Sequence, residues 1–174
     1  MEKKKLNIAL VAHDARKQEI IEWVRYNIDV LKEHNLYATG TTGKMISNII
    51  TDFITPEPNE NGLVPLYVEE VKPLQGKVKC LLSGPLGGDS VISAMIAEGK
   101  IDVLIFFCDN LIMQGHQQDV GALSRLASLY NIAFATNRTT ADMILTSSLF
   151  GNENYKRIIP SAIEKYKTRF NNNE

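Results

Sequence analysis

Asp89 directly follows the glycine pair Gly87-Gly88, in a segment that begins with Ser83 and Gly84. A carboxylate can act as a general base, and small residues allow backbone N–H groups to approach an anionic ligand closely. Asp is also a favoured N-cap residue, and a plain helix cap is the simpler explanation when Asp89 is considered alone. The segment therefore predicts either a helix cap or a catalytic carboxylate beside an anion site.

A second glycine-containing segment, residues 39–43, has the sequence TGTTG. Its hydroxyls are hydrogen-bond donors, and its glycines let backbone N–H groups at the start of a helix face an anion. No Gly-Lys-Ser/Thr ending follows, so the segment is not a Walker A loop. Ordinary capping and turn formation is the alternative for this segment. Combined with Ser83, Gly84 and the ammonium group of Lys17, it predicts a site for a phosphate monoester.

Further ionisable residues follow other apolar runs. His13 and Asp14 come after the run 7–12, where Asp14 is a second possible helix cap. Asp109 comes after an apolar run, where a carboxylate faces burial and needs hydrogen-bond partners or a functional reason. His116 and Asp119 follow it, but zinc sites need three or four ligands and the sequence has no further His or Cys cluster. We expect no metal.

The elements that position these residues are apolar runs separated by segments with helical spacing. Parallel strands need crossovers, and helical crossovers cover both faces of a sheet. The alternation predicts one α/β domain over 1–174, a three-layer α/β/α arrangement around a doubly wound, five-stranded parallel sheet. Ligands bind outside the carboxyl ends of such strands. The predicted strands are 7–12, 36–38, 78–82, 103–107 and 132–136.

Residues 51–77 interrupt this alternation. They contain four prolines and the polar cluster 59–62, which indicate an excursion from the domain and not a linker. Within this insertion, 63–71 alternates apolar with other residues and is typical of an edge segment or hairpin arm.

Charge and composition argue against several kinds of partner. Lys and Arg number 19 against 20 Asp and Glu, which predicts no nucleic-acid surface. No apolar stretch reaches the roughly 18 residues of a membrane span, and no signal-peptide pattern starts the chain, so we expect no membrane and a cytoplasmic location. The first turn lacks GxGxxG, which argues against a nicotinamide or flavin cofactor, and we expect no cofactor. Cys80 and Cys108 are predicted to be reduced core residues.

Taken in order, these motifs resemble the methylglyoxal synthase family, lyases that convert dihydroxyacetone phosphate to methylglyoxal and inorganic phosphate. The similarity covers most of the chain. It rests on IALVAHD at 8–14 with Lys17, LYATGTTG at 36–43, LSGPLGGD at 82–89, EGKIDVLIFF at 98–107, and His116 with Asp119.

The resemblance implies that Asp89 is the catalytic base, that His116 donates a hydrogen bond to the substrate carbonyl, and that phosphate leaves from an enediolate. The other supporting catalytic groups that it implies are Asp14, Asp109 and Asp119. The substrate-binding residues that it implies are His13, Lys17, Thr39, Gly40, Thr41, Thr42, Ser83, Gly84, His116 and Arg169.

Arg169 matches a family arginine that reaches the phosphate site of a neighbouring subunit, so the resemblance implies a homohexamer. The insertion 51–77 departs from the family pattern, as does 110–115, which lacks the usual proline-rich loop. The chain also resembles the regulatory domain of carbamoyl phosphate synthetase, so a non-catalytic sensor of phosphometabolites is the alternative. A third possibility is an inactive relative that docks a partner through the insertion. The combination of Asp89, His116 and Asp119 favours an enzyme.

Overall fold

The computed structural model describes residues 4–63, 67–111 and 117–169, without the side chains of 117–119 and 167. The strands are β1 (Asn7–Ala12), β2 (Asn35–Ala38), β3 (Asp52–Ile54), β4 (Glu69–Val71), β5 (Val78–Cys80), β6 (Val103–Phe107) and β7 (Ala133–Ala135). The helices are α1 (Lys17–Tyr26), α2 (Ile28–Leu31), α3 (Gly40–Ser47), α4 (Gly88–Ala97), α5 (Gln117–Leu129), α6 (Arg138–Thr146) and α7 (Ser161–Thr168). Short 3-10 turns occupy Asp14–Arg16 and Gly84–Leu86.

The main sheet has five parallel strands in the order β5-β2-β1-β6-β7. Ile8 of β1 lies opposite Leu36 of β2 on one side and Val103 of β6 on the other. From β1 the chain therefore adds β2 and β5 on one side of β1, and it then adds β6 and β7 on the other side of β1. This reversal leaves a crevice outside the carboxyl ends of β1 and β6, the usual ligand site of open parallel sheets.

Helices cover both faces of this sheet. Side chains along a strand alternate between the two faces, so the apolar residues of a buried strand need packing partners on both. Ile8 and Leu10 belong to the apolar cluster that includes residues of α1, α3 and α6. Ala9 and Val11 belong to the opposite cluster, with residues of α4 and α5. The prediction of a three-layer, doubly wound α/β fold is confirmed.

Buried apolar residues recur at helical spacing from residue 20 to residue 31, yet this part of the chain forms two helices. Ile20 and Val24 lie in α1, Ile28 and Leu31 lie in α2, and all four are buried. Between the helices, the Asn27 side chain donates a hydrogen bond of 2.9 Å to the Trp23 carbonyl oxygen. Asn side chains can bond nearby backbone in this way, which favours the end of a helix.

The insertion contains a small antiparallel pair, in which Phe53 of β3 lies opposite Glu70 of β4. Every residue of β3 is exposed, whereas Leu74 is fully buried and anchors the return of the chain to the domain. The sequence predicts an edge segment or a hairpin arm over 63–71. The last part of this range, β4, pairs with β3 as a hairpin arm, and residues 64–66 lie outside the described residues.

Both cysteines are free thiols, but only Cys108 is buried. The prediction that Cys80 is a core residue is wrong, because β5 is an edge strand and its last two residues are exposed.

Among the described helices, none combines the length and apolar character needed to cross a bilayer.

Candidate active site

The carboxyl ends of β1 and β6 are joined through His13 and Asp109. The backbone N–H of Asp109 donates to Nδ1 of His13 over 2.8 Å. The backbone N–H of His13 in turn donates to the Phe107 carbonyl oxygen over 3.2 Å. His13 is 4% exposed and Asp109 is 8% exposed. Both residues therefore lie in the wall of the crevice where the strand order reverses.

This hydrogen bond fixes the tautomer of His13. Because Nδ1 accepts a hydrogen bond, it carries no proton, so the proton of the neutral ring is on Nε2. The His13 ring also meets the Phe106 ring edge to face, with centroids 5.0 Å apart. The imidazole is held in one orientation and presents Nε2 as a hydrogen-bond donor.

The Asp109 side chain stabilises the backbone turn that follows β6. Its Oδ1 accepts a hydrogen bond of 3.0 Å from the backbone N–H of Leu111, which turns the chain after β6. The hydrogen-bond partner that we expect for this buried carboxylate is therefore present. A catalytic role for Asp109 stays a prediction.

The start of α3 lies against the loop that follows β5. The Gly40 N–H donates to the carbonyl oxygens of both Leu81 and Leu82 over 3.1 Å. A Cβ atom on Gly40 would stand only 2.8 Å from the backbone of Ser83, so this approach requires glycine. The N-terminal turn of α3 and Ser83 consequently form one continuous surface.

Donors of this surface come from the TGTTG segment. Thr39 and Thr42 are buried, and Thr41 is exposed. Thr39 is the N-cap of α3, yet its side chain makes no capping hydrogen bond within the described part of the chain. Ordinary capping therefore does not account for the Thr39 hydroxyl. The positive end of the helix dipole adds to the attraction for an anion here.

The glycines before Asp89 set the start of α4. Gly87 is the N-cap residue and has φ +97°, a conformation that L side chains rarely adopt. A Cβ atom on Gly88 would lie 2.0 Å from the Leu82 carbonyl oxygen, which no side chain could tolerate without a backbone shift. Asp89 is the second residue of α4, and the interpretation of Asp89 as its cap is wrong.

Asp89 is 2% exposed. Its carboxylate lies against Gly84, where an added Cβ atom would come within 2.9 Å of Oδ2. The backbone dipoles in the first turn of α4 favour the negative charge of this carboxylate. The arrangement brings a buried carboxylate next to the Ser83-Gly84 part of the anion surface.

Lys17 and Asp14 form an ion pair on the rim of the site. The Lys17 side chain is 21% exposed, whereas that of Asp14 is 91% exposed. Asp14 starts the 3-10 turn after β1, and the residue that precedes α1 is Arg16. The structure therefore does not place Asp14 among the buried groups of the site, and it is not the cap of α1.

Arg16 is a charged group near the site that the motifs do not single out. Its guanidinium forms an ion pair with the Glu19 carboxylate at 2.6 Å. Burial raises the pKa of the Cys108 thiol to about 11, and the positive charge of Arg16 acts in the opposite direction. Arg16 thus lies near the end of β6. The only sequence signal for it is its position between Asp14 and Lys17.

The structure describes the three other predicted site residues to different extents. His116 lies outside the described residues, and Asp119 is described only as a backbone position in α5. Arg169 is the C-cap residue that follows α7, and its guanidinium lies over the Tyr166 ring at 5.7 Å from the centroid. Among the described residues, no three His, Cys, Asp or Glu side chains form a group that could hold a metal ion.

The fold and this edge of the sheet define a class of protein: a doubly wound α/β domain that gathers a helix N-terminus, hydroxyl side chains and a buried carboxylate at its strand ends. Residues 19–136 match the family model described as "MGS-like domain". The chain is 47% identical over 147 residues to methylglyoxal synthase of Maridesulfovibrio salexigens, covering 84% of this chain and 87% of that one. It is 42% identical over 164 residues to methylglyoxal synthase of Yersinia enterocolitica, covering 91% and 92%.

A solved structure agrees with these relatives. The crystal structure of methylglyoxal synthase from Elizabethkingia anophelis superposes with a TM-score of 0.69 at 38% identity, covering 90% of this chain and 86% of that one. The chain belongs to the methylglyoxal synthase family. The predictions of this family, of a carbon–oxygen lyase and of methylglyoxal synthase activity are thereby confirmed.

Proposed function

We propose that this chain converts dihydroxyacetone phosphate to methylglyoxal and inorganic phosphate at the strand-end site, with Asp89 as the base. The observation that carries this proposal is the position of the Asp89 carboxylate. It is buried, lies in the first turn of α4 and contacts the Gly84 backbone beside the anion surface. A carboxylate next to an anion site has no use in simple phosphate binding, because it repels the ligand.

The first step is a proton transfer. The Asp89 carboxylate removes a proton from the hydroxymethyl carbon, and the electron pair moves toward the carbonyl oxygen to give an enediolate. A donor at that oxygen stabilises the developing charge. By family resemblance this donor is His116. His13 is supported as a second donor by its fixed tautomer, which presents Nε2–H.

The second step is the loss of phosphate. The C–O bond to phosphate breaks while the enediolate electrons form the new double bond, so that bond must stand out of the enediolate plane. The first turn of α3, Ser83 and Lys17 supply donors and charge that hold the phosphate in this orientation and stabilise it as it leaves. As phosphate leaves, the hydroxyl on the deprotonated carbon gives up its proton and becomes the aldehyde carbonyl. The enol product then gains a proton at its methylene carbon, loses its hydroxyl proton and becomes methylglyoxal.

Assembly and location belong to the same proposal. Arg169 lies exposed immediately after α7, and the family resemblance supports both its contact with a neighbouring subunit and a homohexamer. Roles for Asp14, Asp109 and Asp119 as supporting groups also rest on that resemblance. Two free cysteines fit a cytoplasmic location, since disulfides are rare there.

A non-catalytic sensor would use the same phosphate donors and bind the same ligand. The experiment that separates the two incubates purified protein with dihydroxyacetone phosphate and measures methylglyoxal colorimetrically and phosphate in parallel. We expect equal amounts of both products, and Asp89→Asn should bind the substrate without forming either. Well-folded wild-type protein that binds the substrate and yields no product would establish the sensor.

A further inference from the structure

A second cavity lies at the opposite end of the sheet. It has a volume of about 270 Å³ and is lined by residues at the amino ends of three strands: Leu6 precedes β1, Val103 begins β6 and Ala133 begins β7. Since β1 has six residues, the cavity is about 20 Å from the carboxyl-end site along the strand. The chemistry proposed above does not use it.

The segment 147–157 forms the outer wall of this cavity and is held in place by several contacts. The Gly151 carbonyl oxygen accepts a hydrogen bond of 2.8 Å from the Lys4 N–H. Phe150 meets the His34 ring edge to face at 5.0 Å. Arg157 donates to the Ile101 carbonyl oxygen over 3.1 Å. The wall is therefore tied to the body of the domain, and the cavity is preformed.

The floor of the cavity is apolar, with Leu6, Val103 and Ile132 nearly fully buried. Among the described residues that line it, the charged groups are two cations, Lys4 and Arg157, and one anion, Asp102. The Asp102 carboxylate accepts a hydrogen bond from the Asn7 N–H and stands 3.7 Å from the Lys4 ammonium, which is too long for a good hydrogen bond. Among the described residues, no carboxylate lies within 4.0 Å of the Arg157 guanidinium.

We propose that this cavity binds a small organic monocarboxylate with a compact apolar body, its carboxylate held by Arg157 and its body on the apolar floor. The charged side chains described in the cavity lining sum to one positive charge, which favours an anionic ligand. Guanidinium groups bind carboxylates well through paired N–H donors. The apolar floor favours an organic body over a fully hydrated inorganic anion. The inference does not depend on the reaction at the other end of the sheet.

The test uses benzoate as the probe and isothermal titration calorimetry on the full chain. Benzoate should bind with one site per chain, and benzyl alcohol, which lacks the charge, should bind far more weakly. Arg157→Gln should weaken benzoate binding roughly tenfold or more, as expected for a hydrogen bond between charged groups. Lys156→Gln, a neighbouring exposed cation outside the cavity lining, is the matched control and should leave binding unchanged.

A second variant keeps the inference testable if Arg157→Gln folds poorly. Ala133→Leu keeps every charge and reduces the space, and it should abolish benzoate binding. Inorganic phosphate in excess should not displace benzoate. Absence of benzoate binding, binding that survives both variants, or displacement by phosphate would each overturn the proposal, the last by placing benzoate at the carboxyl-end site.

Discussion

The backbone N–H of Asp109 donates a 2.8 Å hydrogen bond to Nδ1 of His13, and this contact joins the carboxyl ends of the two strands between which the sheet order reverses. It has two separable consequences. One is structural, because a buried N–H finds its acceptor. The other is chemical, because the His13 proton is confined to Nε2.

Two substitutions of His13 separate these consequences. In His13→Asn the amide oxygen can replace Nδ1 as the acceptor, but nothing replaces the Nε2 donor. In His13→Gln the amide nitrogen can replace the Nε2 donor, but the Asp109 N–H loses its acceptor. We expect His13→Gln to lower the free energy of unfolding by about 1–3 kcal/mol through this buried, unsatisfied N–H, and His13→Asn to lower it less.

Activity should show the opposite order. His13→Asn should lose more kcat than His13→Gln, measured as methylglyoxal formed per second, while urea unfolding gives the stabilities. If both variants lose stability and activity in equal proportion, the fixed tautomer has no separate role in the reaction.

Asp89→Asn tests the base directly. The amide has nearly the same shape as the carboxylate but cannot accept the proton, so kcat should fall by about 10³-fold or more while the substrate dissociation constant changes little. Asp52→Asn, on the exposed strand β3, is the matched control and should keep full activity. Turnover by Asp89→Asn within tenfold of the wild type would remove Asp89 from this role.

Gly88→Ala tests the start of α4. Its new Cβ atom would lie 2.0 Å from the Leu82 carbonyl oxygen, so the backbone must move and Asp89 must move with it. We expect a loss of about 2 kcal/mol or more in the free energy of unfolding, together with a loss of activity.

The control is Gly121→Ala within α5, where an added Cβ atom meets nothing within 4 Å. Ala is the better helix former, so this variant should be about 0.5–1 kcal/mol more stable than the wild type. Thermal and urea unfolding of the two variants would measure the contrast, and equal stabilities would contradict the close approach of Gly88 to Leu82.

The two thiols should differ in reactivity and in their effect on stability. Cys80 is exposed and should react with iodoacetamide at pH 8, whereas Cys108 should be protected by burial and by its pKa of about 11. In the unfolded chain a thiol has a pKa of about 8.5. Between these two values the folded state keeps a proton that the unfolded state has lost, so stability falls as the pH rises from about 8.5 to 11.

Cys108→Ala removes this contribution and should flatten the decrease in stability between pH 8 and pH 10 relative to the wild type. Cys80→Ala is the matched control and should leave the decrease unchanged. Equal pH profiles for Cys108→Ala and the wild type, measured by urea unfolding, would show that the thiol keeps an ordinary pKa.

Mixed oligomers test the proposed role of Arg169. If Arg169 completes a neighbouring subunit's site, an Asp89→Asn subunit lacks the base of its own site. An Arg169→Gln subunit keeps its base but leaves its neighbour's site without the arginine. Unfolding and refolding the two inactive variants together should form some intact sites and restore measurable activity. Mixtures no more active than the separate variants, despite assembly shown by light scattering, would place Arg169 outside the site.

The sequence by itself determined the order of strands and helices, the doubly wound sheet and the edge where polar residues gather. These features follow from local patterns: apolar runs of strand length, helical spacing between them, and glycines where strands end. The resemblance to methylglyoxal synthases depended on the same segments and correctly indicated the family.

Only the tertiary structure decided how individual residues are used. Asp89 is not a cap, because Gly87 is the N-cap and α4 begins at Gly88, which packs closely against Leu82. Asp14 stays on the surface beside Lys17. The tautomer of His13 depends on Asp109, a residue 96 positions away. Such contacts join distant parts of the chain, and local spacing carries no information about which backbone atom will meet which side chain.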